Sequence, residues 1–505
     1  MKSLQPLPNK SGVWVFAALN AAFVVAIVAG AAVSGAQNPR LLYLALLFAL
    51  CSSSIIDLDG WNGRNALLAM FMVIYFVFFG VGGVAALMRG AAAPPEASPL
   101  SATEAVVLVG GLLLVLSYRA AVAMLGGRGR APLRRRGGRE WPIGTIVGAG
   151  AALWVVGTFA TYYWYFHVVT DVTNAATRKG LASHSELVIS GLILAQLVQP
   201  LGILLTAYAW RTRRSAVLVA LLAVMVALQV VLGFVIDIKG TALLGGVLVI
   251  VTIVLIDGRL PVWWIAGAAL FVQLSFPVFQ AYRVVVHGDL GLARTTVLDH
   301  LGKALHLALS AEQRVEHGPD RAQTFFERLS LMGSVQMIVE RTGVDVPYQR
   351  GHTLTPLIST FVPRLLWAGK PDVQAGQLVN QAFHVSDSAD TYISPSHLGE
   401  LYWNFGWAGV VLGMPIIGLL CGWVGARFNL RDGVTVTRLL VTILTLQYII
   451  HGFEGSIAVS YVVWLRSLAA VAALDRLFAR PAGRDAPGPV TAAPMPQRRF
   501  PNLLA

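Results

Sequence analysis

Apolar runs of about 20 residues, the length that crosses a bilayer as a helix, follow one another along the chain with short polar connections between them. They predict membrane helices over 13–36, 40–56, 65–88, 102–125, 143–166, 186–209, 215–236, 241–256, 261–281, 402–426, 434–451 and 456–474. The run 241–256 is short for a span, so it is tilted shallowly, partly re-entrant or extended by its flanks. The organisation expected is nine helices in 1–281, a long connection over 282–400, three helices in 401–476 and a disordered, Pro-, Ala- and Gly-rich tail over 477–505. The fold class is therefore an all-α polytopic membrane protein with about 12 transmembrane helices.

Composition agrees with that pattern. The chain of 505 residues is 56% hydrophobic and 12% charged, with a mean hydropathy of +0.67. These values exclude a soluble enzyme, a disordered chain and a disulfide scaffold. The net charge of +13 does not point to nucleic acid, because the basic residues gather in short connections. Arg128, Arg130, Arg134, Arg135, Arg136 and Arg139 lie in 126–141, Arg211, Arg213 and Arg214 in 210–214, and Arg476, Arg480, Arg484, Arg498 and Arg499 after residue 475. Such clusters mark the cytoplasmic side of a membrane protein, and counting spans outward from them puts both termini in the cytoplasm. Lys2 and Lys10 before the apolar run 13–33 resemble a signal peptide, but the run is too long for one and reads as a retained first helix. Cys51 and Cys421 each fall in or at the end of an apolar run, which makes them small core residues.

The same count places 282–400 outside. This segment holds ten Arg/Lys against twelve Asp/Glu, and seven of the ten histidines. So long a connection is expected to fold. Leu292, Leu298, Leu301, Leu305 and Leu309 recur at helical spacing, as do Phe325, Leu329, Met332, Val335, Gln336 and Val339. The reading is a mostly helical lid, with Arg341 on a solvated helix face. No internal repeat is apparent, which weakens a transporter built from inverted repeats.

Ionisable residues near the membrane interior are candidates for function. Asp237 and Lys239 either neutralise each other at a turn or leave Lys239 to offer an ammonium to an anionic substrate. Arg283 either snorkels to headgroups or joins Lys239. In Phe361-Val-Pro-Arg-Leu-Leu-Trp-Ala-Gly-Lys-Pro371, two prolines hold Arg364 and Lys370 beside Trp367. The two cations either converge on a diphosphate, a task for which the planar fork of Arg is suited, or rest on lipid headgroups. His397 and Glu400 are three apart and share a helix face. His397 is either a helix cap or a base for a sugar hydroxyl, and Glu400 either a second base or the group that orients it. Tyr402, Trp403 and Trp407 offer ring faces to sugars or form an interfacial belt. Asp57-Leu-Asp59 reads as a solvated turn, and His451 and Glu454 either line the site or cap a turn. The histidines show no metal-ligand spacing, so no metal is expected.

With these residues in view, the chain resembles the Wzy-type O-antigen and exopolysaccharide polymerases, a family related to the O-antigen ligases. The resemblance rests on about twelve helices, one long external loop late in the sequence, and short cues. These are Asp237-Ile-Lys239-Gly240 before the loop, the Phe361–Pro371 segment with Ala368 where the family has proline, and His397 followed by Gly406 and Gly409. Leu398 stands where the family usually has asparagine. The resemblance implies a GT-C-like bundle in the bacterial inner membrane with the long loop extracytoplasmic. It implies metal-independent, cofactor-free transfer of a glycan from undecaprenyl diphosphate to the non-reducing end of another lipid-linked repeat unit, with a chain-length regulator and a flippase as possible partners. Arg364, Lys370, Lys239 and Arg283 would hold the diphosphate. His397 and Glu400 would handle the proton, and Trp367, Tyr402 and Trp403 would contact sugar. The rivals are an O-antigen ligase that uses lipid A-core as acceptor and, from another class, a transporter or flippase of lipid-linked oligosaccharides.

Overall fold

Within the described residues the apolar runs fold as helices. The computed structural model describes residues 39–56, 61, 63–88, 100–125, 139–165, 186–235, 239–258, 263–264, 266–267, 270–271, 278, 281–282, 302–303, 305–306, 330–359, 367, 375–387, 391–430 and 433–481. The expected first helix, 13–36, lies outside them.

In chain order the helices are α1 (Pro39–Ile56), α2 (Ala66–Phe79), α3 (Val81–Met88), α4 (Ala102–Leu125), α5 (Ile143–Tyr163), α6 (Glu186–Leu197), α7 (Gln199–Arg213), α8 (Ala216–Val235), α9 (Lys239–Asp257), α10 (Met332–Arg341), α11 (Ala375–Phe383), α12 (Ser396–Phe428), α13 (Val436–Thr445) and α14 (Ile457–Phe478). Among the described residues, seven helical stretches are long and apolar enough to cross a membrane. Shorter apolar helices accompany them at Arg40–Ile55, Ala66–Phe79 and Thr241–Asp257. Local sequence sets several ends. At the start of α4, the Ser101 hydroxyl accepts from the Glu104 N–H at 3.2 Å and the Glu104 carboxylate accepts from the Ser101 N–H at 2.8 Å, a reciprocal capping box. The single helix expected over 65–88 is divided at Gly80 into α2 and α3. A β-carbon there would lie 2.7 Å from the Phe76 ring. The short run 241–256 is extended by its flanks into α9.

The helix ends sort onto two faces. On one, the Tyr118 hydroxyl near the end of α4 donates to the Arg64 carbonyl before α2 (2.6 Å), and Arg119 donates to the Ser53 carbonyl near the end of α1 (2.8 Å). The Trp141 indole donates to Asp475 of α14 (3.0 Å), and Thr437 of α13 does the same (2.6 Å). A two-residue pairing of β1 (Arg139–Glu140) with β2 (Arg480–Pro481) ties the connection after α4 to the segment after α14. Arg211 of α7 pairs with Asp257 of α9 on this face. It is the basic face, carrying Arg64, Arg119, Arg211, Arg213, Arg214, Arg427, Arg438 and Arg476.

The opposite face receives the described parts of the long connection. The Leu331 N–H donates to the Phe78 carbonyl at 2.9 Å, and Tyr43 of α1 reaches the Phe79 carbonyl at 2.9 Å. In α10, Val335, Ile338 and Val339 are buried, whereas Gln336 is exposed and donates to Glu340 at 2.7 Å. Gln336 was expected on the apolar stripe; Ile338 takes that place, because a buried amide would lose its partners. Arg341 lies on the solvated side of α10, as expected, with its side chain 36% exposed, and it is also held in place. It donates to Asp345 at 2.8 and 2.5 Å and to the Phe383 carbonyl at 2.7 Å, and its guanidinium stands 5.6 Å from the Phe383 ring centre. The hydrogen bond from Arg341 holds the Asp345 carboxyl below its ordinary range. Of the Leu292–Leu309 series, Leu305 is described, helical and exposed; the others lie outside the described residues.

Candidate functional site

The long helix α12 is two helices. Gly406 has φ +61° and ψ −143°, a conformation open to glycine. It breaks the helix into a short arm, 396–405, and a long arm, 407–428. In an unbroken helix the carbonyls of Trp403 and Asn404 would accept from the following turn. Here they accept from the N–H groups of Gln349 (3.0 Å) and Arg350 (3.1 Å).

The arms fold back on one another. A β-carbon built on Gly110 of α4 would lie 2.6 Å from Leu398 and within 3.5 Å of Val410. It would lie 3.4 Å from Met414. Leu398 and Met414 would stand about 24 Å apart along a straight helix, so the short arm doubles back along the long one. Gly409 and Gly413 make room: a β-carbon at Gly409 would sit on the Leu401 carbonyl, and one at Gly413 would run into the Leu401 side chain. Nine residues further on, Gly418 and Gly422 let the long arm run against Leu114, Ser117, Tyr118 and Ala121 of α4. Both pairs have the four-residue spacing that brings membrane helices into backbone contact. Gly110 lies eight residues into α4, about 12 Å from its start. The short arm is therefore re-entrant and carries its side chains well inside the bundle.

His397 and Glu400 ride on that arm, both with 0% exposure. Before them Ser396 holds φ +55° and its hydroxyl accepts from the Gly399 N–H at 3.1 Å, an N-cap set in a strained backbone. The His397 ring packs edge-on against Phe453 (5.0 Å between centres) and beside Tyr461 (5.7 Å). Among the described residues, neither imidazole nitrogen completes a hydrogen bond, and the buried Tyr461 hydroxyl finds no partner either. The Ser456 backbone is the polar group that faces the ring.

Glu400 is anchored. One carboxylate oxygen accepts from the Ile457 N–H at 2.7 Å, at the N-terminus of α14. There the Ser456 hydroxyl accepts from the Val459 N–H at 3.3 Å. Two orphan donors of the first turn are thus satisfied, and the carboxyl group sits at the positive end of the helix dipole. The other carboxylate oxygen is buried without a hydrogen bond of normal geometry, near the Thr353 hydroxyl.

Asn404 links this arm to the loop above it. Its amide donates to the Thr353 hydroxyl and to the Glu400 carbonyl, each at 2.7 Å, and its oxygen accepts from the Gly351 N–H at 2.8 Å. Asn404→Ala strands the buried Thr353 hydroxyl and the half-buried Gly351 N–H, at about 2 kcal/mol. Thermal unfolding of the purified protein in detergent measures this, and an unchanged midpoint would remove Asn404 from the account.

The other expected site residues are distributed as follows. Arg364, Lys370 and Arg283 lie outside the described residues, as do Asp57, Asp59 and Asp237. Lys239 is the first residue of α9, on the face away from the Arg211–Asp257 pair. Trp367 is 41% exposed. Trp403 is fully buried against Phe383 (5.4 Å), so its ring faces are occupied by packing. Tyr402 is buried beside Trp407 (6.4 Å). His451–Glu454 forms a 3-10 turn after a π-turn at Leu446–Ile450. Cys51 and Cys421 are buried and unpaired. Among the described residues, no group of His, Cys, Asp and Glu is arranged to hold a metal ion.

Sequence reasoning passed over Asn404, Tyr461 and Arg466. Asn404 and Arg466 each had a signal, a lone amide and a lone charge within apolar runs; Tyr461 had none. Arg466 is half-buried nine residues into α14, about 13 Å from its start, at a depth where charge is expensive. No protein-family profile matches the chain, and no curated protein or solved structure matches it.

Proposed function

We propose that the protein is an integral membrane glycosyltransferase that extends undecaprenyl-diphosphate-linked oligosaccharides, handing the growing glycan to the non-reducing end of an incoming lipid-linked unit. The observation that carries this reading is the re-entrant arm. It sinks an unbonded imidazole, beside a carboxylate fixed on a helix end, into a bundle otherwise made for lipid. Apolar packing alone has no use for such a pair, since each buried polar atom without a partner costs about 1–3 kcal/mol.

In this reading the basic face lies in the cytoplasm and the face that receives 330–359 lies outside, within a twelve-helix GT-C-like bundle of the bacterial inner membrane. The acceptor hydroxyl attacks the anomeric carbon of the donor glycan and gives its proton to His397. The bond from that carbon to the diphosphate breaks, and undecaprenyl diphosphate leaves with the electron pair. Arg364, Lys370, Lys239 and Arg283 meet its charge, and Trp367 meets sugar. Glu400 acts through position: its bond to Ile457 fixes the arm that carries His397. Phe453 closes over the imidazole in this conformation, so substrate entry requires the His451–Glu454 turn to swing aside.

The test is the purified protein in nanodiscs, fed one species of lipid-linked repeat unit. A ladder of products spaced by one unit is expected. Transfer only when lipid A-core is supplied would replace polymerase by ligase, and passage of the unit across the membrane without bond formation would replace both by a transporter.

A further inference from the structure

A cavity of about 610 Å³ opens between α8, α9 and the helical residues 263, 264, 267 and 271. It lies away from His397, and its wall is apolar from end to end. Val219 and Val230 of α8 mark its two ends, about 16 Å apart along the helix axis. One leaflet's share of the roughly 30 Å hydrocarbon core is about 15 Å. The slot is thus as long as one acyl chain, and its volume falls within the ordinary range for ligand sites.

The end at Val219 lies toward the basic face. Trp210 lines the slot there and stacks toward Trp264 (6.4 Å), at the depth where indoles mark the headgroup level. Arg213 stands one turn past Trp210 on the same face, and Arg214 caps the helix with φ +51°. Asp257, the nearby acid, is already paired with Arg211. Among the described residues, Arg213 and Arg214 are then the cations at this end that stand outside that ion pair, ready for an incoming phosphate.

We infer that this slot is a built site for one anionic glycerophospholipid of the leaflet on the basic face. One acyl chain lies between α8 and α9, and the phosphate lies at Arg213 and Arg214. The length argues for an acyl chain rather than a far longer polyprenyl chain, and the charge argues for an anionic headgroup.

Two glycines allow a direct test. A β-carbon on Gly246 or on Gly267, from different walls of the slot, meets no atom within 4 Å. Larger side chains at both positions therefore start in open space, and Gly246→Phe and Gly267→Leu are the variants that fill the slot. Full-length protein, stripped of lipid, is titrated with phosphatidylglycerol or phosphatidylcholine in mixed micelles, and bound lipid is counted by native mass spectrometry. Wild type is expected to retain one phosphatidylglycerol, and neither filled variant should retain it. Removing Arg213 or Arg214 should raise the half-saturating concentration about fivefold each. Equal retention of phosphatidylcholine, undiminished binding by both filled variants, no retention by wild type, or a polyprenyl phosphate in place of the glycerolipid would each overturn the inference.

Discussion

His397→Leu is expected to melt at or above the wild-type temperature while glycan extension falls by about 10²- to 10⁴-fold, the range a general base supplies. The two halves of this outcome share one cause. The imidazole is enclosed by Phe453 and Tyr461 and bonds through neither nitrogen. A leucine of similar bulk keeps the contacts and removes two unsatisfied polar atoms, so stability should hold or rise. A histidine kept for packing would behave otherwise, since its replacement would loosen the arm and leave whatever chemistry occurs elsewhere untouched. The measurement pairs a thermal melt in detergent with the ladder assay on the same preparation. A lowered midpoint together with intact extension would make His397 a structural residue and end its assignment as base.

The bundle was legible in the sequence where one run makes one helix. The run 102–125 carries its own start signal in Ser101 and Glu104 and folds with the bounds expected of it. The sharing of one face by the connection after α4 and the segment after α14 follows from counting spans, and the β1–β2 pairing agrees with it. Hydropathy failed at Gly406. The polar residues of the short arm put the start of the expected helix at 402, and from there the end of that arm and the long arm read as one apolar run, so a running average passes over the break. The break lies in one backbone angle, which composition does not report. The site was half legible for a related reason. The three-residue spacing of His397 and Glu400 puts them on one face, and both are buried there. The Ile457 N–H that anchors Glu400 and the Phe453 and Tyr461 rings that enclose His397 arrive from more than fifty residues away. Contacts of that range leave no local pattern.

Gly409→Leu is expected to be the most damaging single substitution outside the site, lowering stability by about 3 kcal/mol or more. Its β-carbon would fall on the Leu401 carbonyl. The obstacle is main chain, which cannot rotate away as a side chain can. The arms must then part, and three things fail together: Leu398 leaves its seat against Gly110, Glu400 draws away from the start of α14, and His397 loses its depth. Gly148 of α5 supplies the contrast, because a β-carbon there meets nothing within 4 Å. Gly148→Ala should raise stability slightly, by up to about 1 kcal/mol, through helix propensity alone. The two variants are compared by thermal midpoint and by protease resistance in the same detergent. If Gly409→Leu melts with wild type, the close approach of the two arms is absent in solution, and the burial of His397 that depends on it goes with it.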